Sequence, residues 1–354
     1  MNEINRKIIK LTFNAADRMD IYDNFRQYIL DGATAKQAYA RMIEGYTRRG
    51  KKPNDALAMI LKECAATLDS GVRLSESLSG WFPESEISCI EACDVAGRSA
   101  DGFKEAEKIS DAVARISKAM RGTIMVSSFM ALNAFAILYV ICSFLVPVLL
   151  QYVPLERWNV AQSFIYYFYY FLTDYSFIVI IIMIASIYLF FKSLPRWTGE
   201  TRFLFDKFAP YSLYRSMQGA IFLINVEAML SAGLSLKVVL NKIKTASNSD
   251  WLKEKIDGAL GGLSNGETNL GTALDSSGYE FPSEKAIIKL QNLFETSNSE
   301  GSLGRFSERW LNDTVEGIEK GGKTIQLFCM FLSGASVIAI TLIMYPLVQQ
   351  MFNF

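Results

Sequence analysis

From Ile124 to Leu150 the chain reads IMVSSFMALNAFAILYVICSFLVPVLL, without one charged side chain. A helix needs about 20 apolar residues to cross the hydrocarbon core of a bilayer, and this run predicts such a helix. Two more runs do the same: 175–194, rich in isoleucine and interrupted only by Lys192 near its end, and 325–348. In lipid every backbone N–H and C=O must be satisfied within the segment, so the three runs commit the membrane part to helices. The aromatic stretch SFIYYFYYFL from Ser163 is too short to span alone, and Asp174 separates it from the next run. Residues 151–174 are therefore expected to be a short outer loop with an aromatic interfacial segment, a fourth span near 163–172 being the alternative.

Basic residues set the expected orientation. Arg115, Lys118 and Arg121 precede the first run, Lys192, Arg196, Arg202 and Lys207 end or follow the second, and Lys320 and Lys323 precede the third. The loop between the first two carries only Arg157, and the tail QQMFNF has no basic residue. The positive-inside rule then puts residues 1–121 and 195–322 in the cytoplasm, and the short loop and the C-terminus facing outward. The opening MNEINRKIIKLTFNAADRMD has no apolar core of the kind that marks a secretory signal, so the N-terminus is expected to stay inside.

Composition excludes several chemistries. The chain has no histidine, which removes histidine triads, histidine-ligated zinc and haem, and histidine acid–base catalysis. Its formal charge is zero, against the basic surplus of a nucleic-acid binder. Five scattered cysteines form no CxxC pair and predict no disulfide framework; Cys89 and Cys93 would share a helix face as packing residues. No metal or cofactor site is expected, and no catalytic set.

One pattern occurs twice. GWFPESEISC begins at Gly80 and YEFPSEKAII at Tyr279. The shift of 199 that carries Phe82-Pro83 onto Phe281-Pro282 also carries Asp101-Gly102 onto Glu300-Gly301 and Pro147 onto Pro346. With a small slip, YILDGATAKQA at Tyr28 resembles MLSAGLSLKVV at Met229, which pairs Gly32 with Gly233. Internal similarity over such a period reflects architecture. It predicts two copies of a cytoplasmic helical domain followed by a membrane helix. The segment 175–194 has no counterpart in the first copy; it returns the chain so that both domains face one compartment. Pro83 and Pro282 are expected in the first turn of a helix, Gly32 and Gly233 at helix ends, and Asp101-Gly102 and Glu300-Gly301 in turns between helices, as candidate partner-contact or turn positions. No segment shows the two-residue alternation of a strand, so the expected class is all-α.

GIEKGGKT, Gly317 to Thr324, matches the phosphate-binding loop pattern, with Lys323 for the phosphates and Thr324 for magnesium. Such a loop must follow a buried strand. Here the preceding SERWLNDTVE is polar and helical, and the shifted copy KAMRGT at Lys118 lacks the pattern. A membrane-bound nucleotide-binding protein is the alternative function on this motif; a glycine pair with a basic anchor at the membrane surface is the bland reading.

Two helical domains, each with Phe-Pro before a helix and a glycine-containing segment after it, arranged as domain, two spans, domain, span, resemble the type II secretion system F / type IV pilus platform proteins. The likeness covers nearly the whole chain. The family's glycine-glutamate-x-small-glycine turn is replaced by AGRSADG from Ala96 and TSNSEG from Thr296, which points to a divergent branch of the type IVb or conjugative thin-pilus kind. The resemblance implies a non-enzymatic inner-membrane platform. Its implied partners are a hexameric cytoplasmic assembly ATPase, pilin or pseudopilin subunits, other inner-membrane assembly proteins, the lipid bilayer and further copies of itself. The run SGAS at Ser333 suits close helix packing in such an oligomer.

Overall fold

A computed structural model of the chain describes residues 3–208, 210–294 and 299–352. The fold is all-α, with no strand among the described residues. In chain order the helices are α1 (Glu3–Thr12), α2 (Ala15–Leu30), α3 (Ala35–Tyr46), α4 (Ala56–Asp69), α5 (Leu74–Ser77), α6 (Glu84–Val95) and α7 (Ser99–Tyr152). A 3-10 turn at Leu155–Arg157 leads to α8 (Val160–Asp174) and α9 (Ser176–Arg196). Then come α10 (Glu200–Phe205), α11 (Tyr211–Ser231), α12 (Leu236–Ala246), α13 (Asp250–Ser264), α14 (Leu270–Ser276), α15 (Glu284–Phe294) and α16 (Ser299–Phe352).

Local signals start and stop these helices. Asn14 accepts from the Ala16 and Asp17 amides while Asp17 accepts from the Asn14 amide; Thr34 and Gln37 form the same reciprocal cap at α3, and Asn159 and Gln162 at α8. Each such cap satisfies amides that the first turn leaves unpaired. At the end of α2 the Gly32 amide donates to Ile29 O (3.0 Å) and the Ala33 amide to Tyr28 O (2.9 Å). At the end of α11 the Gly233 amide donates to Leu230 O (2.8 Å) and the Leu234 amide to Met229 O (3.1 Å). Gly32 and Gly233 have φ of +80° and +93°, which only glycine adopts without strain, so the two expected helix-end glycines do the same work in the same way.

Contacts divide the chain into two compact units. The first comprises residues 1–118 and 194–315. Its N-terminal half packs α2–α6 and the start of α7 around Ile21, Tyr22, Phe25, Tyr39, Ile60, Leu61 and Phe103. Phe25 stacks on Phe103 at 4.9 Å and meets Tyr39 edge-on at 4.8 Å. The central half buries Phe222, Leu240, Trp251, Ile256, Leu270 and Leu290. Both repeated phenylalanines are core residues: Phe82 lies 5.2 Å from Phe13 and 5.4 Å from Tyr22, and Phe281 lies 5.2 Å from Phe222 and 5.5 Å from Trp251. Pro83 and Pro282 stand just before α6 and α15 rather than in their first turns. Pro83 is extended (ψ 142°) as the cap of α6. The Ser283 hydroxyl caps α15 by accepting from the Ala286 amide, and Pro282 packs instead on the backbone of Gly219.

The second unit comprises residues 119–193 and 316–354. Its packed centre holds Cys142, Val146, Leu149, Val153, Trp158, Ile165, Ile340, Met344 and Leu347. Elsewhere its large side chains are exposed, among them Phe129, Leu132, Phe144, Phe177, Ile184, Phe331 and Leu342. An apolar outer surface of this extent is unsuited to water and suits lipid. Among the described residues, α7 and α16 are long and apolar enough to cross a membrane.

One sequence expectation is corrected here. Residues 160–174 are not loop but the helix α8. The Asn159–Gln162 cap starts it, the Gln162 side-chain Nε2 donates to Ile343 O (3.0 Å), and Ile165 enters the packed centre. α7 is one helix of 54 residues, as is α16.

Candidate functional site

The two halves of the first unit meet where α6 packs on α11 and α12. The junction is polar. Lys242 Nζ lies 3.3 Å from Glu91 Oε2 and donates to Ser88 Oγ at 3.2 Å. Lys108 Nζ lies 2.8 Å from Glu105 Oε2 and 3.5 Å from Glu227 Oε1. The Ser231 hydroxyl donates to Glu227 Oε1 (3.2 Å), and the backbone of Gly304 comes close enough that a Cβ there would lie 3.1 Å from the same oxygen. Further along α7 and α16, Arg115 Nη1 lies 2.7 Å from Glu308 Oε1, and Arg115 also donates to Asn312. The seam thus joins side chains roughly 120 to 200 positions apart in sequence.

Burial shapes the titration of this seam. Desolvation raises the Glu227 carboxyl above its ordinary value, with Lys108 opposing and Glu105 adding. Burial works against the Lys108 ammonium, but Glu105 and Glu227 outweigh it and raise that group overall. Burial also pushes the Cys89 thiol well up, leaving it unreactive. The hydrogen bond from Arg115 to Glu308 comes first in holding its guanidinium charged.

A separate buried charge anchors the N-terminal half. Glu86, in the FPESE stretch, accepts from Arg18 Nε (2.8 Å) and Nη2 (3.0 Å), from the Tyr22 hydroxyl (2.7 Å) and from the Ser110 hydroxyl (2.9 Å). Sequence reasoning missed this cluster. Its signal was an acidic residue three positions past Pro83, which reads equally well as helix-start acidity.

Asp101 and Gly102 lie at the edge of the seam, and their expected turn is corrected. Both sit in the first turn of α7. The turn comes earlier, at Gly97 (φ +72°), whose amide donates to Asp94 O while the Arg98 amide donates to Cys93 O (2.8 Å). Gly102 is helical and is there for close approach: a Cβ would lie 2.8 Å from Ile90 Cα, 3.0 Å from Cys93 Cβ and 3.1 Å from Cys89 O. Asp101 is exposed and 3.8 Å from Arg98, whose Nη2 reaches to 4.0 Å from the Cβ position of Gly233. Glu300 and Gly301 likewise fall in the first turn of α16, not in a turn between helices; the Glu300 side chain and residues 295–298 lie outside the described residues.

Gly317–Thr324 lies inside α16, where amides are spent along the helix rather than left open to a phosphate. One of its three glycines, Gly322, has a packing role in the second unit. A Cβ on Gly322 would lie 2.5 Å from Thr123 Cγ2, so α7 and α16 touch there through a glycine. The Thr324 hydroxyl donates back to Lys320 O (3.0 Å).

An open cleft of about 380 Å³ in the first unit is lined by Ser85, Tyr214, Gln218, Asn225 and Ser249 among others, with no charged side chain. It offers hydroxyls and amides. Among the described residues no group of three acidic or cysteine side chains could hold a metal ion. No protein-family model matches the chain, and no curated protein matches it.

Proposed function

We propose that the chain is an inner-membrane platform protein of a type IV pilus or type II secretion-like machine. In this reading 1–121 and 195–322 are repeated cytoplasmic helical-bundle domains, three helices cross the membrane, and the C-terminus is periplasmic. The platform couples a hexameric cytoplasmic assembly ATPase to the extraction and polymerisation of pilin or pseudopilin subunits. Other inner-membrane assembly proteins and further copies of the chain surround it. No chemistry is asked of the platform itself.

The observation that carries this reading is a helix order that runs twice. Five helices, α2–α6, precede α7 of 54 residues, and five, α11–α15, precede α16 of 54 residues. In both, the first helix ends on a left-handed glycine, a buried phenylalanine precedes the fifth, and a proline sits in the apolar part of the long helix. The apolar helix α9, of 21 residues, supplies the return crossing that puts both domains on one side. The seam through Lys108, Lys242 and Arg115 supports the mechanical part, because ion pairs tie the two halves so that a push on one is felt by the other.

The test is genetic and topological. Deleting the gene in its native bacterium should stop pilus or pseudopilus assembly while the pilin still accumulates in the inner membrane; normal assembly overturns the reading. Alkaline phosphatase fused after Phe354 should be active and fused after Ser249 inactive; activity at Ser249 overturns the three-span topology.

A further inference from the structure

Helix α10 is built inside out. Arg202 and Asp206, one turn apart, are 0% and 1% exposed and paired with each other. Trp251 Nε1 donates to Asp206 Oδ2 (3.0 Å), and the Arg202 guanidinium lies 4.2 Å from the centre of the Tyr211 ring. Leu204, on the opposite face, and Phe208, just past the end of the helix, are 62% and 69% exposed, while Phe205 is half exposed beside Trp197 and Tyr211. A short helix at a water interface places its charges outward and its apolar residues inward. This one does the reverse, and the buried pair with its aromatic cage fixes that orientation.

We infer that the outward face of residues 197–208 is a membrane-surface anchor, with Leu204 and Phe208 inserted among lipid acyl chains at the headgroup boundary. The inference rests on the reading of α9 as a membrane span. The chain argues for lipid as the occupant. Trp197, Thr198 and Gly199 are all that separate α9 from α10. Three extended residues and one helical turn hold Leu204 within about 20 Å of the end of α9. The exposed apolar side chains of α9, Ile181, Ile184, Tyr188, Leu189 and Phe191 among them, are thus followed in the chain, after a three-residue link, by those of α10. Arg196 and Lys207 flank the segment and are exposed, Lys207 Nζ lying 3.6 Å from Glu280 Oε1; cations so placed are common where an interfacial segment meets lipid phosphates. Trp197, packed on Phe205 at 5.2 Å, supplies the aromatic residue typical of that layer.

The test uses full-length protein in nanodiscs, with Cys329→Ser because the other native thiols are buried. An environment-sensitive fluorophore is placed on Phe208→Cys, on Leu204→Cys in a second preparation, and on Ile184→Cys as the reference for α9. In discs of bromine-labelled lipid, emission at 184, 204 and 208 should fall relative to plain lipid, and aqueous iodide should quench 204 and 208 little. Quenching by bromolipid at 184 but not at 204 and 208 overturns the anchor. Iodide access would then show a face in water, and protection from both quenchers a face covered by protein, such as a second copy of the chain. Absence of bromolipid quenching at 184 overturns the spanning of α9, and the anchor with it.

Discussion

The backbone of Gly102 rests on the backbone of Ile90: a Cβ built on the glycine would stand 2.8 Å from Ile90 Cα. That separation sets how closely α7 crosses α6, and through α6 how the N-terminal half meets α11 and α12.

Gly102→Ala should destabilise the protein. Alanine gains up to about 1 kcal/mol of helix propensity over glycine, but the new methyl meets backbone atoms that cannot swing aside, and overpacking costs about 1–3 kcal/mol. Gly45→Ala in α3 is the control, since nothing lies within 4 Å of its Cβ position and its φ is not left-handed. In detergent the melting temperature should fall for Gly102→Ala and hold or rise for Gly45→Ala. Equal behaviour of the two would mean that α7 does not approach α6 this closely.

A pH effect should be readable at Glu227. Burial first, then Glu105, raise its carboxyl above the ordinary 4.5, against the pull of Lys108. When an acid is raised in the folded state, the folded protein holds the proton more tightly than the unfolded chain between the two values. Stability is then greatest below 4.5 and falls as pH climbs through the window to the raised value. Glu227→Gln removes this titration. Asp206 and Glu107 are raised by burial too, but they titrate alike in parent and variant. The melting temperature of the parent should therefore drop more steeply than that of Glu227→Gln as pH rises from 4.5 toward neutrality. Parallel curves would show that water reaches this carboxyl.

Periodicity and end signals were enough to read the helical class, the apolar helices α7, α9 and α16, and the glycine ends at Gly32 and Gly233. These depend on local physics: side-chain hydropathy along a helix, and the freedom of glycine at positive φ. The stretch at 163–172 reads as part of a loop because it is too short to span and Asp174 separates it from the next run; the Asn159–Gln162 cap, visible in the sequence, starts a helix regardless of span length. Asp101-Gly102 misled for a different reason. Glycine serves both turns and close helix crossings, and only the position of Ile90 and Cys93, set by tertiary packing, decides between them. The seam lay beyond sequence reasoning because its partners, such as Arg115 and Glu308, pair across distances that no local pattern encodes.

Asp101 and Glu300 occupy the first turns of the two longest helices, and charge reversal at both tests whether these helix starts face the assembly ATPase of the proposed platform. A lysine in a first turn opposes the helix dipole, which costs about 0.3–1 kcal/mol at an exposed site. Asp101→Lys also sets two cations together, because Arg98 lies 3.8 Å from Asp101. These local costs are small, so the protein should stay folded and membrane-inserted. If the two acids meet basic residues on the ATPase, Asp101→Lys and Glu300→Lys should each lower ATPase recruitment to inverted membrane vesicles at low salt, and the deficit should shrink as salt screens the contact. Asp101→Asn separates the causes, since it removes the charge without adding a repulsive one; its recruitment should fall between the parent and Asp101→Lys. Unchanged recruitment in both reversals at low salt would assign the two acids to helix-start stabilisation alone and move the search for the ATPase contact to the other exposed faces of the first unit.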